Sequence, residues 1–238
     1  RDYLARSNAD NVLVVNIESI PAIENLDTIL EVNGLDAVLV GPGLRPGRGT
    51  TRLTQALLAS EGPPLVADAG ALEALSRIPR WWARLARPVI VTPHPGEFAR
   101  LGRVVAAADD ARREAARRAA QEWGVTVVLK GAHTVIAAGD ELAVAPFEVP
   151  ALGTGGSGDV LAGIIVSFVG QGLEPFAAAS LGVFLHARAG EDVSAHVGDA
   201  GLMATDLLPA IPRVRRHLQR LAGAGSRLGF EAPDGGAA

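Results

Sequence analysis

Cysteine is absent from the 238-residue sequence, which excludes disulfide bonds, thiolate zinc sites and cysteine nucleophiles. Long apolar runs are missing as well, since the longest are shorter than the roughly 18 residues that a membrane span requires, and no basic-then-apolar leader pattern opens the sequence. The sequence also has no excess of positive charge: the net charge of −4 gives no electrostatic reason to expect binding to nucleic acid. We therefore expect a soluble, cytoplasmic protein that binds small molecules, not nucleic acid or membranes.

Hydrophobic residues make up 48% of the chain, enough for a sizeable core in one α/β domain or two small ones. Short apolar runs predict strands at 12–17, 36–41, 64–68, 88–92 and 125–130, and a hairpin of 133–137 with 141–145. Helical spacing predicts helices at 21–32, 50–60, 70–77, 109–123, 159–170, 175–190 and 204–221. This alternation indicates a three-layer α/β architecture with a mainly parallel sheet.

The most informative stretch is the glycine-rich loop 153–159, which an apolar run from Val160 to Val169 follows directly. Its glycines allow tight turns that expose several backbone N–H groups. A helix that begins there points its free first-turn N–H groups and its dipole at an anion. Asp159 then either caps this helix or acts as a base beside a bound phosphate. The loop is therefore a candidate phosphate site.

Further candidates follow predicted strands, at 41–43, Asp68, 92–97 and 130–131. In open parallel sheets, ligands bind beyond the carboxyl ends of the strands, so these segments are expected to share one site. His94, held between two prolines, is either structural or orients a polar substrate. Glu97 either caps the next helix or contacts a substrate or the water shell of a metal.

Three other polar residues also have two interpretations. Lys130 either extends to the sheet edge or meets a phosphate together with the following amides, where Thr134 adds a hydroxyl donor. Asp68 either accepts hydrogen bonds from loop amides or belongs to the site. His186, on an apolar helix, is expected to be a buried histidine with satisfied hydrogen bonds. The histidines form no pattern with other ligands, so no metal-binding cluster is predicted.

From about residue 36 to about 212, the sequence resembles the ADP/ATP-dependent NAD(P)H-hydrate dehydratases of the ribokinase-like superfamily. The matching stretches are DAVLVGPGL at 36–44, TPHPGEF at 92–98, VLKGAHTVI at 128–136, TGGSGDVLAG at 154–163, QGL at 171–173 and ATDL at 204–207. In combination and in this order they are specific. The resemblance implies a ribokinase-like fold and a lyase that uses ADP or ATP, with Mg²⁺, to restore hydrated NADH or NADPH to the cofactor. It also suggests a homotetramer.

The resemblance further implies roles for individual residues. The nucleotide-binding residues are Lys130, Gly131, Ala132, His133, Thr134, Gly155, Gly156, Ser157 and Gly158. The residues that face the hydrate are Gly43, His94, Glu97 and Asp159, and Asp159 is the catalytic residue. Phosphorylating the hydroxyl makes it a good leaving group, so a base beside the transferred phosphoryl group suits this chemistry.

Some positions depart from the family pattern. The family often has a glycine at Arg45, a second acid at Gly70 and an asparagine near Val149, so contacts to the substrate are expected to differ there. Residues 1–42 resemble instead a fragment of an HpcH/HpaI-type 2-oxo acid aldolase, in which Glu18 would bind a divalent metal. The sequence thus predicts a ribokinase-like domain at 36–222 with its N-terminal part truncated or replaced, a chimeric junction near 36–43, and a disordered tail at 223–238.

Three alternative functions remain open at this point. One is a ribokinase-like kinase that phosphorylates a hydroxymethyl group of a small molecule. Another is a nucleotide-binding chimera without catalysis, which the unusual N-terminal part favours. The weakest is a fragment of the 2-oxo acid aldolase, because most of an aldolase barrel is missing.

Overall fold

The computed structural model describes residues 12–103, 108–198 and 200–227. The strands are β1 (Leu13–Ile17), β2 (Leu35–Val40), β3 (Leu65–Ala67), β4 (Val89–Val91), β5 (Thr126–Leu129), β6 (Val135–Ala138) and β7 (Glu141–Val144). The helices are α1 (Ile20–Glu24), α2 (Leu26–Leu30), α3 (Arg48–Ala59), α4 (Gly70–Leu75), α5 (Pro95–Arg100), α6 (Asp109–Trp123), α7 (Ser157–Gly170), α8 (Pro175–Val197) and α9 (Ala204–Arg227). Short 3-10 helices cover Trp81–Arg84 and Pro150–Gly153.

The strands form one sheet in the order of the sequence, from β1 to β7. Neighbours from β1 to β5 are parallel, whereas β5, β6 and β7 pair in antiparallel fashion. The parallel part needs helical crossovers, and these bring every carboxyl strand end from β1 to β5 to the same edge. The predicted mainly parallel sheet is therefore confirmed.

Each face of the sheet carries its own core, because successive side chains of a strand point to opposite faces. In β2, Val38 and Val40 pack against residues of α3, α4 and α6 on one face. Ala37 and Leu39, one position along, pack against α7, α8 and α9 on the other. The result is the three-layer architecture that the sequence predicts. Among the described helices, none is long and apolar enough to cross a membrane.

The first βαβ unit, 13–40, belongs to the same sheet as the rest of the chain. β1 pairs with β2 from Val14 opposite Ala37 to Ile17 opposite Val40. The helix predicted over 21–32 is instead two short helices, α1 and α2. The break falls at Asn25, whose side-chain amide and backbone N–H both donate to the Pro21 carbonyl, at 2.8 and 3.1 Å.

The helical boundaries differ from the sequence prediction mainly near the carboxyl end. α8 continues to Val197, seven residues beyond the predicted end at 190, and α9 continues to Arg227. Residues 223–227 of the predicted disordered tail are therefore helical, while 228–238 lie outside the described residues.

Gly41 sets the distance between two neighbouring strand ends. Its φ is +122°, and a Cβ atom there would lie 1.7 Å from the carbonyl oxygen of Asp68. Only glycine allows the backbone that follows β2 to approach the backbone that follows β3 so closely. Asp68 is thereby fixed directly beside the turn 41–43.

Candidate active site

The glycine-rich loop does lead into a helix, and the first turn of that helix is open. Gly156, in the left-handed region with a φ of +87°, precedes Ser157, the first residue of α7. The N–H of Val160 donates to the Gly156 carbonyl at 3.2 Å. The N–H groups of Gly158 and Asp159 precede this bond, so a ligand can take them. Asp159 is the third residue of α7, and the interpretation of it as the helix cap is wrong, since Gly156 holds that position.

A buried ion pair lies against the start of this helix. The Lys130 Nζ is 2.8 Å from Oδ1 of Asp68, whose side chain is 1% exposed, and 3.8 Å from Oε2 of Glu97. Asp68 follows β3 and Lys130 follows β5, so the lysine crosses the end of β4, a span of about 9–10 Å between strands. A Cβ atom on Gly158 would lie 3.3 Å from Nζ. The ammonium therefore adjoins the free amides of α7.

The turn after β4 is organised as a capping box. His94 is the N-cap of α5, where its Nδ1 accepts from the Gly96 N–H at 3.0 Å. Glu97 returns a bond, since its Oε2 accepts from the His94 N–H at 2.8 Å. The structural interpretation of Glu97 as a helix cap is thus confirmed. The same carboxylate also faces Lys130, so Glu97 both caps α5 and belongs to the candidate site.

Asp159 is the carboxyl group with the most perturbed proton affinity here. Partial burial raises the pKa of Asp159, and the nearby carboxylates of Asp68 and Glu18 raise this pKa further, while Lys130 opposes them. Glu18 belongs to the turn after β1 and packs next to Gly43, where an added Cβ atom would lie 3.5 Å from its Oε2. A carboxylate with raised proton affinity beside a cation is suited to accept a proton from a hydroxyl.

The segment 130–134 is held in place by the backbone around it. The Lys130 N–H donates to the Pro93 carbonyl at 2.8 Å, and the Thr134 hydroxyl donates to the Gly131 carbonyl at 2.9 Å. Arg112 of α6 donates to the Lys130 carbonyl at 3.3 Å. His133 lies 3.4 Å from the Asp109 carboxylate, so its ring faces α6.

A cavity of about 540 Å³ opens beside these groups. Seven of the residues proposed from the sequence line it: His94, Lys130, Gly131, Ala132, Thr134, Ser157 and Gly158. Among the described residues, six others to which the family resemblance gives a role are not part of its lining: Gly43, Glu97, His133, Gly155, Gly156 and Asp159. Asp159 lines instead a neighbouring groove of about 500 Å³ between α7, α8 and α9. The catalytic candidate is thus outside the lining of the cavity that carries most nucleotide-binding candidates, although Gly158, the residue before it, belongs to that lining.

The sequence analysis missed the rest of the cavity wall. This wall is largely apolar and comes from the segment 145–154 and from one face of α8, including Phe147, Leu152 and Val183. Phe147 stacks edge-on against Phe184 of α8, with ring centroids 5.2 Å apart. These residues resemble ordinary core residues in the sequence, so hydrophobic patterning alone could not separate them from the core.

His186 corrects one expectation about this wall. Its side chain is 7% exposed and lines the cavity, yet in the part of the chain that the structure describes its Nε2 has no hydrogen-bond partner. The expectation of a satisfied histidine is therefore wrong for Nε2, although the ring also hydrogen-bonds the backbone of Ser157. Burial lowers the pKa of His186 to about 4; hydrogen bonding to the backbone of Ser157 opposes this effect and the charge of Lys130 adds to it. The ring is uncharged at neutral pH.

The fold and this strand-end site define a ribokinase-like α/β protein. A ribokinase-like superfamily protein from Enterococcus faecalis matches with a TM-score of 0.68 and 27% identity, over 82% of this chain and 68% of that one. A family model described as NAD(P)H-hydrate dehydratase matches residues 4–213. The chain belongs to the NAD(P)H-hydrate dehydratase family.

Individual relatives agree with this assignment. The bifunctional NAD(P)H-hydrate repair enzyme of Moorella thermoacetica is 43% identical over 197 residues, which are 82% of this chain and 37% of that protein. The Bacillus subtilis ADP/ATP-dependent NAD(P)H-hydrate dehydratase, co-crystallised with ATP and Mg²⁺, matches with a TM-score of 0.68 and 33% identity, over 76% of this chain and 64% of that one. The chain thus spans between about a third and two thirds of these relatives.

The family match also bears on the N-terminal part. It begins at residue 4 and continues through 36–43, where a chimeric junction was expected. The chimera hypothesis and the aldolase resemblance therefore find no support.

Proposed function

We propose that this chain catalyses the ADP- or ATP-dependent dehydration of hydrated NADH or NADPH back to the reduced cofactor, as a hydro-lyase of nicotinamide nucleotide repair. One observation carries the proposal: the open first turn of α7 and the Lys130 ammonium adjoin a cavity of nucleotide size, and Asp159, in the same turn, feels the charge of that ammonium. Family membership supplies the reaction, since the relatives are named for it.

The nucleotide lies in the cavity of about 540 Å³ in this proposal. Its phosphates meet the N–H groups of Gly158 and Asp159, where the helix dipole favours negative charge. Lys130 provides a compact positive charge at the same place, held by Asp68 at 2.8 Å. The backbone of 131–134 closes one side, consistent with the nucleotide-binding role that the sequence suggests for it.

Asp159 performs the proton transfer in this mechanism. It accepts the proton of the hydrate hydroxyl while that oxygen bonds to the terminal phosphorus, and the bond between this phosphorus and the rest of the nucleotide breaks. Phosphate then leaves with the electrons of the C–O bond, and a ring carbon releases its proton to water, which forms the double bond of NADH or NADPH. Lys130 and the α7 amides stabilise the charge on the transferred group. His94, Glu97 and Gly43 contribute to the substrate side.

Mg²⁺ is expected to accompany the nucleotide. Within 12–103, 108–198 and 200–227, no group of three or more His, Asp or Glu residues is arranged to hold a metal ion. Mg²⁺ commonly uses phosphate oxygens, waters and only one or two carboxylates, so it does not require such a group. When bound, the ion neutralises phosphate charge.

The deciding experiment supplies hydrated NADH with ADP or ATP and Mg²⁺ and follows the return of NADH absorbance. We expect nucleotide-dependent recovery, and we expect Asp159→Asn to bind ADP in a calorimeter without restoring NADH. Consumption of nucleotide with an accumulating phosphate ester and no NADH would indicate a kinase instead. Binding of ADP with no turnover in the unmodified protein would indicate a nucleotide-binding remnant.

Assembly and location complete the proposal. The family resemblance suggests a homo-oligomer, specifically a tetramer, and light scattering on the purified chain measures this directly. A cytoplasmic location, which the sequence predicts, is tested by cell fractionation.

A further inference from the structure

A second cavity, apart from the candidate active site, is lined by arginines. Its volume is about 490 Å³, and it lies between α3 and the segment 77–84, which contains the first of the short 3-10 helices. The polar residues of its lining are Thr51, Gln55, Arg77, Arg80 and Arg84. Its lining shares no residue with that of the cavity at the start of α7. The proposed reaction therefore leaves this cavity without a role.

The charge around this arginine-lined cavity is positive, although the whole chain has a net charge of −4. No acidic residue belongs to the lining, and α3 contains none over its whole length. Arg77 pairs with Glu73 at 2.6 Å, but among the described residues Arg80 and Arg84 have no carboxylate within 4.0 Å. A concave surface lined by charges of one sign concentrates ions of the opposite sign. The cavity is therefore suited to an anion.

A neighbouring depression extends the same positive surface. Its volume is about 510 Å³, and it shares Thr51 and Arg77 with the arginine-lined cavity while it adds Arg48 and Arg52. In the described part of the chain, these two arginines also have no carboxylate within 4.0 Å. The positive charge is thus a property of the whole face beside α3 and not of one side chain.

The remaining lining of the arginine-lined cavity is largely apolar. It includes Leu58, Ile78, Pro79 and Trp81. Trp81 is 4% exposed, and within the ranges that the structure describes its indole Nε1 has no hydrogen-bond partner. A buried donor without an acceptor is costly and requires an explanation. Apolar walls with a few polar groups are typical of sites for small molecules.

We propose that the arginine-lined cavity binds a small organic phosphate, with the phosphate group at Arg80 and Arg84 and the apolar body of the molecule against Trp81. The guanidinium group presents paired N–H donors that match two oxygens of one phosphate, and it stays charged at every physiological pH. An indole ring offers a large apolar surface to the rest of the ligand. The inference goes beyond the proposed function and does not depend on it.

The test measures the binding of phenyl phosphate and of inorganic phosphate by calorimetry. Phenyl phosphate should bind about tenfold more tightly, because its ring enters the apolar part of the cavity. The double variant Arg80→Gln/Arg84→Gln should bind phenyl phosphate about tenfold more weakly than the unmodified protein. Gln55→Glu, which adds a carboxylate to the lining with almost no change in size, should weaken binding in the same way. Arg188→Gln is the control, since it removes an exposed arginine of α8 on the other face of the sheet and should change nothing.

Tryptophan fluorescence shows where the ligand binds. The three tryptophans of the chain, Trp81, Trp82 and Trp123, form one cluster with ring centroids 5.2, 5.7 and 6.1 Å apart. Phenyl phosphate should therefore change the emission of the unmodified protein and of Arg188→Gln, at the concentrations at which calorimetry detects binding.

Three results would overturn the inference. They are no binding at about 10 mM phenyl phosphate, binding that leaves the tryptophan emission unchanged, and full affinity in the double variant Arg80→Gln/Arg84→Gln. Neither measurement uses a nucleotide, so a failure of the proposed function would leave this test unaffected. Recovery of NADH from its hydrate should be the same in the double variant as in the unmodified protein.

Discussion

Replacing Lys130 with methionine should destabilise the protein severely, because it leaves a buried carboxylate without its cation. Asp68 is 1% exposed and lies 2.8 Å from Nζ. At an effective dielectric constant of 20, that separation corresponds to an attraction of about 6 kcal/mol. Desolvation of the two ions costs several kcal/mol each, so the intact pair adds little net stability. Removing one partner is different, and we expect a loss of about 3–5 kcal/mol.

A second substitution tests this reasoning. Adding Asp68→Asn to Lys130→Met removes the stranded charge, and the remaining cost should be that of an unpartnered amide, about 1–3 kcal/mol. Urea unfolding at neutral pH gives the free energy of each variant. Arg77→Met serves as the control, since it breaks an exposed pair with Glu73 at 2.6 Å and should cost less than about 1 kcal/mol.

The double variant also separates stability from function. It should fold well enough to assay yet bind ADP poorly, because the positive charge beside α7 is gone. Two results would refute the reasoning: a double variant no more stable than Lys130→Met, or a single variant as stable as the unmodified protein. Either would mean that water already compensates the charge of Asp68.

Three further predictions address individual positions. Asp159→Asn should lower turnover by about 10²–10⁴-fold. Because the pKa of Asp159 is raised in the folded protein, its protonated form favours folding, and that stabilisation is lost as pH rises. The uncharged variant should therefore have a higher melting temperature than the unmodified protein at neutral pH in a calorimetric scan. Gly41→Ala should prevent folding, since its Cβ would lie 1.7 Å from the Asp68 carbonyl, whereas Gly49→Ala, with no described atom within 4 Å, should remain folded by circular dichroism. The folded pKa of His186, about 4, lies below its unfolded value, so the unfolded chain binds more protons as pH falls from 6.5 and stability drops. In His186→Leu this drop, measured by urea unfolding between pH 7 and 4.5, should be smaller by about 2–3 kcal/mol.

The elements themselves were largely predictable because their signals are local. The run at 125–130 and the helix over 109–123, which ends at Gly124, depend on apolar patterning and a left-handed glycine that are visible in the sequence. The break within 21–32 was not visible, because the apolar spacing continues through it. There the side chain of Asn25 shares the Pro21 carbonyl with its own backbone N–H, a contact that spacing does not encode.

The site was predictable as a set of strand ends, but its pairings were not. Asp68 and Lys130 are 62 residues apart in sequence, and their contact depends on which strands adjoin in the sheet. The open helix start at Gly158 followed from glycine content alone. The state of His186 could not follow from sequence, since it depends on how α8 packs against the segment 145–154.

The pair between Lys130 and Asp68 has a practical consequence, because the printed sequence contains no other lysine. Every amine-directed label on a side chain must therefore attach in the site or nowhere. Reduced labelling of the single peptide that contains Lys130 would therefore show that a ligand occupies the site. Arginine side chains elsewhere on the surface do not react with such a reagent and would add no signal.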